Sequence, residues 1–280
     1  MVLFTPQPHM RYSSTNSSVG AAASGTALTS GAATNSYGSW TQIHAGLTYE
    51  SAYVVTRLSN TGASATTKNS YVDVGIGPDA ANVTVVIEKL SGYNAAPANT
   101  GLGNVMLCPV RIPAGTPVWA RHQANTASAS ISILATFAGG PNIGGIWSGL
   151  TMQSIVCLGA AVPTVGTGLT AGASGAEGSW TQIVASTTDD YALLGIGMFT
   201  NDTTLTGSNY QWDIAYGPAG SETLIAENVL VACAASTELT SMVCIPSWAN
   251  IPAGSRIAVR ASSSGAADTS LTAVVYAGRG

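Results

Sequence analysis

Apolar residues recur along this chain in steps of two, in short runs bounded by turn signals. In YVDVGIG (71–77), Val72, Val74 and Ile76 fall on one side and Tyr71 and Asp73 on the other. In RIAVRAS (256–262), Ile257, Val259 and Ala261 alternate with Arg256, Ala258 and Arg260. A period of two is that of a β-strand, and it predicts sheets with one face on a core. Turn signals follow at short intervals: IGPDA, SGYN and IPAGT early in the chain, YGPAG, IPAGS and SSSGAAD late. In IPAG the proline presets φ at the first turn position and the glycine suits the exit, which makes a tight turn leading into a strand. No stretch combines helical spacing with capping residues.

The same landmarks occur twice. GSWTQI stands at 38–43 and at 178–183, 140 residues apart in a chain of 280. YVDVGIGP (71–78) answers QWDIAYGP (211–218), ALTSGA answers GLTAGA, IPAG answers IPAG, and SISILATFAGG answers TSLTAVVYAGRG. Matched landmarks in one order at nearly one offset mean that a whole domain has been duplicated; solenoid repeats are far shorter, about 20–50 residues. Seven or eight short strands per copy predict an all-β chain of two tandem antiparallel β-sandwiches, jelly rolls by preference. The expected boundaries are an N-terminal arm at 1–17, sandwich 1 at 18–139, a linker at 140–156 and sandwich 2 at 157–280. The Gly-rich GPNIGGIWSGLTMQS supports that linker.

Composition narrows the function. Charged residues make up only 8% of the chain, against roughly 25% in ordinary soluble domains. Weak charge repulsion between copies favours self-association or a place in a larger assembly. The net charge is −4, Lys68 and Lys89 are the only lysines, and no basic stripe is written, so nucleic acid is not an expected partner. Every apolar run is broken well short of the roughly 20 residues of a spanning helix, and no membrane partner is expected. The opening MVLFTPQPHMRYSSTN lacks the pattern of a secretory signal. Cys108, Cys157, Cys233 and Cys244 sit in apolar contexts without C-x-x-C spacing or a nearby histidine, as buried thiols do.

The ordered motifs ALTSGA, GSWTQI, NSYVDVGIGP, IPAGTPVWAR and ASASISILATFAG resemble small β-rich virion proteins found among the structural genes of tailed bacteriophages, the minor tail or head-decoration type. The resemblance covers most of both copies. It implies a virion protein assembled in the host cytoplasm, with other virion proteins as its partners. The second copy departs from it, with MFTNDTTLTGSN for LSNTGASATTKN and EGSW for YGSW.

The residues offer little catalytic chemistry. His44 aligns with Val184 and His122 with Ala261, so neither is duplicated, and His9 lies outside the repeat. Asp189 and Asp190 are adjacent, which on a strand places them on opposite faces. GTGLTA (166–171) matches a dinucleotide fingerprint in form but precedes a strand. No catalytic residue, cofactor or metal is expected, and the chain is read as no enzyme.

Charges that recur carry more weight in so neutral a chain. Asp73 recurs as Asp213 and Arg121 as Arg260, which predicts a structural ion pair within each sandwich. Trp40 and Trp180 are duplicated and read as core or sheet-edge residues. Trp119, Trp147, Trp212 and Trp248 are not, and are interface candidates, as are Phe4, Met10 and Tyr12 in an arm without core-like periodicity. The function expected is a non-enzymatic virion structural protein contacting capsid, neck or tail subunits as a decoration, tail or fibre component. Its self-association would be a homotrimer, three chains filling six similar positions. The alternatives are a carbohydrate- or receptor-binding module on the same particle, with a glycan as ligand, and a glycan-degrading enzyme whose carboxylates meet only on folding.

Overall fold

The computed structural model describes residues 11–14, 25–60, 69–93, 105–140, 152–160, 166–200, 209–235, 238–239 and 250–280. All regular elements among them are strands. The first half holds β1 (Arg11–Ser14), β2 (Thr26–Thr29), β3 (Thr41–His44), β4 (Ser51–Asn60), β5 (Asn69–Ile76), β6 (Thr84–Tyr93), β7 (Val105–Cys108), β8 (Val118–Ala124) and β9 (Ser130–Gly139). The second holds β10 (Ser154–Leu158), β11 (Thr167–Ala171), β12 (Thr181–Val184), β13 (Leu193–Thr200), β14 (Asn209–Tyr216), β15 (Thr223–Ala235), β16 (Glu238–Leu239), β17 (Ile257–Ser263) and β18 (Asp268–Arg279).

Strand order makes each half a jelly roll. In the first, β2, β9, β4 and β7 neighbour one another in one sheet and β3, β8, β5 and β6 in the other. The pairs β2·β9, β3·β8, β4·β7 and β5·β6 are nested, as when one long hairpin rolls up on itself. The second half repeats this with β11·β18, β12·β17 and β14·β15, and with β13 beside β18 as β4 is beside β9.

Two sequence expectations change here. Arg11–Ser14, placed in an arm outside the repeat, is a strand paired with β9 of its own chain. Its counterpart is β10, which pairs with β18 in the same way and begins at Ser154, inside the segment read as linker. Among the described residues eight strands recur in both halves, within the seven or eight expected, since β7 pairs β4 whereas β16 pairs β15. Both strands are too short for their alternation to stand out.

The halves are joined through backbone. β10 lies between β18 and β6, parallel to β6 with Ile155 opposite Ile87, so one eight-stranded sheet runs through both jelly rolls. Met152 adds bonds to the first half on either side of Val110: its N–H donates to the Pro109 carbonyl at 2.6 Å, and its carbonyl accepts from Arg111 N at 3.0 Å. The cores are shared too. On β18, Leu271, Ala273, Val275 and Ala277 belong to the core of the second half, whereas Val274 and Tyr276, with Ile155 and Cys157 of β10, belong to that of the first. A strand buried on both faces reads as a continuous apolar run, and AVVYAG does. β5 is also buried on both sides, including Tyr71 and Asp73, where alternation predicted one face on the core.

Cys108 and Cys157 are buried thiols. His9, Phe4, Met10, Trp147, Trp248 and Cys244 lie outside the described residues. No helix among the described residues is long and apolar enough to cross a membrane.

Candidate functional site

The duplicated hexapeptide builds the best-defined polar cluster of each half. Its glycine is required by contact: a Cβ on Gly38 would lie 1.8 Å from the Thr29 carbonyl oxygen, and one on Gly178 2.4 Å from that of Thr170. The same glycines donate backbone bonds to the carbonyls of His122 and Ala261, at 2.8 and 2.9 Å. That close approach drops the tryptophan onto an arginine of the neighbouring strand. The Arg121 guanidinium carbon stands 4.6 Å from the Trp40 ring centre, and that of Arg260 stands 4.6 Å from Trp180. Ile43 and Ile183 close the hexapeptide by entering the core.

Each arginine is held by the recurring aspartate of its own half. Arg121 donates through Nε and Nη2 to Oδ2 of Asp73, at 2.9 and 2.7 Å. Arg260 does the same to Oδ2 of Asp213, at 2.8 and 2.7 Å. Both aspartates are 1% exposed. The other oxygen, Oδ1, accepts a backbone N–H of the next strand, Lys89 at 2.9 Å and Asn228 at 2.8 Å. Lys89 and Asn228 have φ of 49° and 55°, each at a β-bulge where the ladder register shifts. The carboxylate thus ties off the donor that a bulge frees from the ladder.

The halves also differ at the residue before Gly38 and Gly178. Tyr37 donates its hydroxyl to Asp73 Oδ1 at 3.1 Å, and its ring lies 4.0 Å from the Arg121 guanidinium carbon. Burial, then the adjacent Asp73 charge, pushes the phenol far above its ordinary value. In the second half Glu177 takes this place, 3.4 Å from Arg260. Burial and the Asp213 carboxylate raise the Glu177 carboxyl, with Arg260 opposing.

The first cluster opens on a cleft of about 240 Å³ where the halves join, between Tyr37, Asp73 and Arg121 on one side and Ser154, Ile155 and Arg279 on the other. Its charges already have partners: Glu88 with Lys89 at 3.2 Å, and Arg279 with Asp189. Glu88 also accepts the Cys157 N–H at 3.4 Å. Asp73, with both oxygens in hydrogen bonds and its arginine between two rings, is arranged to hold backbone in place.

The remaining sequence candidates scatter. Trp212, an interface candidate, is wholly buried: the alternation of β14 turns Tyr210, Trp212 and Ile214 into the core. Its cross-strand partner is Ala261, whereas the corresponding pair in the first half is Val72 with His122. The bulk has moved from one strand to the other, a compensation legible by comparing the copies. Trp119 is half-buried and donates to the Gly77 carbonyl at 2.8 Å. Tyr12 lies on β1 opposite Ala138. His122 is fully buried, and desolvation lowers its pKa to about 4. Burial also lowers His44, whose Nδ1 accepts from Gly46 N at 3.1 Å and whose ring meets Phe137 edge-on. Asp189 and Asp190 lie in a loop with separate partners, Arg279 and the Ala253 N–H. Among the described residues no group of three His, Cys, Asp or Glu side chains could hold a metal ion. The bulge clamp was not foreseen; an Asp recurring mid-strand opposite a recurring Arg was its only signal.

No protein-family model and no curated protein matches the chain. Among solved structures, the major capsid protein of Sulfolobus turreted icosahedral virus aligns over 96% of both chains at 10% identity, with a TM-score of 0.36. PNGF-II aligns at 7% identity and a TM-score of 0.34, over 86% of this chain and 59% of its own. At such scores the likeness decides nothing about this chain, whose fold assignment rests on its own strand order.

Proposed function

We propose that this chain is a non-enzymatic structural protein of a virion, in which two fused jelly rolls present sheet edges and faces to neighbouring subunits. One observation carries the reading: the polar cluster retained through duplication is a bulge clamp, so the two copies share a scaffold and not a reaction centre. The low charge of the chain supports it, since assembly surfaces must approach without mutual repulsion. The ordered motifs, similar to those of tailed-phage minor tail and head-decoration proteins, support a place on such a particle, in contact with capsid, neck or tail subunits. Two inequivalent copies per chain suit a homotrimer with six similar positions.

Particles with and without this chain, imaged by electron microscopy at low resolution, test the proposal. Density present at regular positions only when the chain is present is the expected result. Absence of the chain from purified particles would reject the reading. So would a hydrolytic activity of the purified chain that disappears on Asp73→Asn.

A further inference from the structure

The cleft at the joint carries more charge than the clamp beside it needs. Three of the chain's nine lysines and arginines, Lys89, Arg121 and Arg279, line its wall, with Asp73 and Glu88 as the wall's carboxylates. In a chain with charges at only 8% of its positions, five around one cleft of about 240 Å³ is a concentration that packing does not explain.

Comparing the copies separates scaffold from addition. Asp73, Arg121 and the Lys89 N–H form one clamp, and Asp213, Arg260 and the Asn228 N–H form the other equally well. The ammonium of Lys89 is therefore no part of the clamp. Arg279 stands opposite Ser154 where the first half sets Gly139 opposite Arg11, so this strand pairing does not need its side chain. Tyr37, a neutral phenol, stands where the second half has Glu177. Each of these differences makes the first site less negative.

The cations keep donors in reserve. Lys89 Nζ meets Glu88 Oε1 at 3.2 Å, and Arg121 gives Nε and Nη2 to Asp73. Arg279 meets Asp189, which lies off the cleft wall, through Nη2, and its Nε is buried without an acceptor. An ammonium has three donors and a guanidinium five, so no one of these cations is saturated by its carboxylate. All three side chains are part-exposed. Ser154 adds a hydroxyl to the wall, and Val85 and Ile155 add apolar surface.

We propose that this cleft binds one carboxylated sugar residue, with the carboxylate on Lys89 and Arg279 and the hydroxyls on Glu88 and Ser154. The two wall carboxylates favour a ligand with one negative charge over a doubly charged phosphate, because like charges in one small cleft repel. Glu88 accepts hydroxyl donors, which a bare anion does not offer. Val85 and Ile155 suit the C–H face of a ring. The volume, just under the roughly 300–1,000 Å³ of drug-sized sites, admits one ring and not a chain. Residues of both halves form the site, so the ligand bridges the joint. The inference goes beyond the structural-protein reading and does not rest on it.

Calorimetric titration of the purified full chain at low ionic strength tests it, with glucuronate, glucose and inorganic phosphate as probes. Glucuronate is expected to bind at one site per chain, phosphate about tenfold more weakly, and glucose not at all. Lys89→Asn copies Asn228 and suits the left-handed backbone at φ 49°. Lys89→Asn and Arg279→Gln should each weaken glucuronate binding about tenfold, and thermal unfolding checks that each variant folds. Arg111→Gln, at an exposed arginine away from the cleft, should leave the affinity unchanged. The comparison of probes on the native chain needs no variant, so a misfolded variant does not shield the proposal. Glucuronate that does not bind, glucose or phosphate that binds as tightly, an affinity that both cleft variants preserve, or an equal loss in Arg111→Gln overturns it.

Discussion

At the scale of single residues, the recurring charges are part of the backbone's hydrogen bonding. Removing Asp73 leaves Arg121 without its carboxylate and the bulge N–H of Lys89 without an acceptor. Breaking a buried pair from one side costs about 3–5 kcal/mol, and the 29% exposure of the Arg121 side chain argues for less. Asp73→Ala and Asp213→Ala should each cost about 2–3 kcal/mol in denaturant unfolding. Asp73→Ala combined with Arg121→Ala should cost less than Asp73→Ala alone, because no orphaned cation remains. His122 gives a pH signature. Its folded pKa of about 4 lies below the unfolded value of 6.5, so the unfolded chain takes up the proton first as pH falls. The stability is intact above pH 6.5 and lost progressively towards pH 4, by about 2 kcal/mol on reaching pH 5. His122→Ala, which copies the second half, should flatten this part of the profile even where it lowers stability at pH 7. Unfolding free energies of both proteins at pH 7 and pH 5 check it.

At the scale of elements, the hexapeptide shows how much the sequence disclosed. Gly38 and Gly178 are held by close approach to the Thr29 and Thr170 carbonyls, so Gly38→Ala and Gly178→Ala should each cost about 2–4 kcal/mol, measured by thermal unfolding. The repeat of GSWTQI announced a duplicated strand entry, and the recurring Asp and Arg announced a pairing, because duplication makes one sequence a comparison of two. Alternation located the inner faces of β5 and β17. It missed the outer burial of Tyr71, which shares a core with Ile155, Cys157, Val274 and Tyr276 of the second half. It also missed β1 and β10, where four and five residues are too few to display a period. Trp212 was misjudged for a related reason. Its failure to recur suggested a role outside the scaffold, whereas the strand opposite carries Ala261 where the first half carries His122, which leaves room for it.

At the scale of the whole molecule, duplication usually yields two modules on a tether, each able to unfold alone. Here the second copy completes the first. Ile155, Cys157, Val274 and Tyr276 come from the second half and pack in the core of the first, and Tyr276 donates its hydroxyl to the Lys89 carbonyl at 3.0 Å. β18 faces both cores at once, so loosening it withdraws support from both jelly rolls. The chain should therefore unfold in one calorimetric transition, with matching calorimetric and van't Hoff enthalpies, despite its two-domain sequence. Tyr276→Ala should cost about 3–5 kcal/mol, as large-to-small changes in a packed core do, and should lower that transition without splitting it. Two resolved transitions in the native chain, or a Tyr276→Ala profile in which one half melts early and the other keeps its native midpoint, would show that the shared sheet is a seam between independent domains.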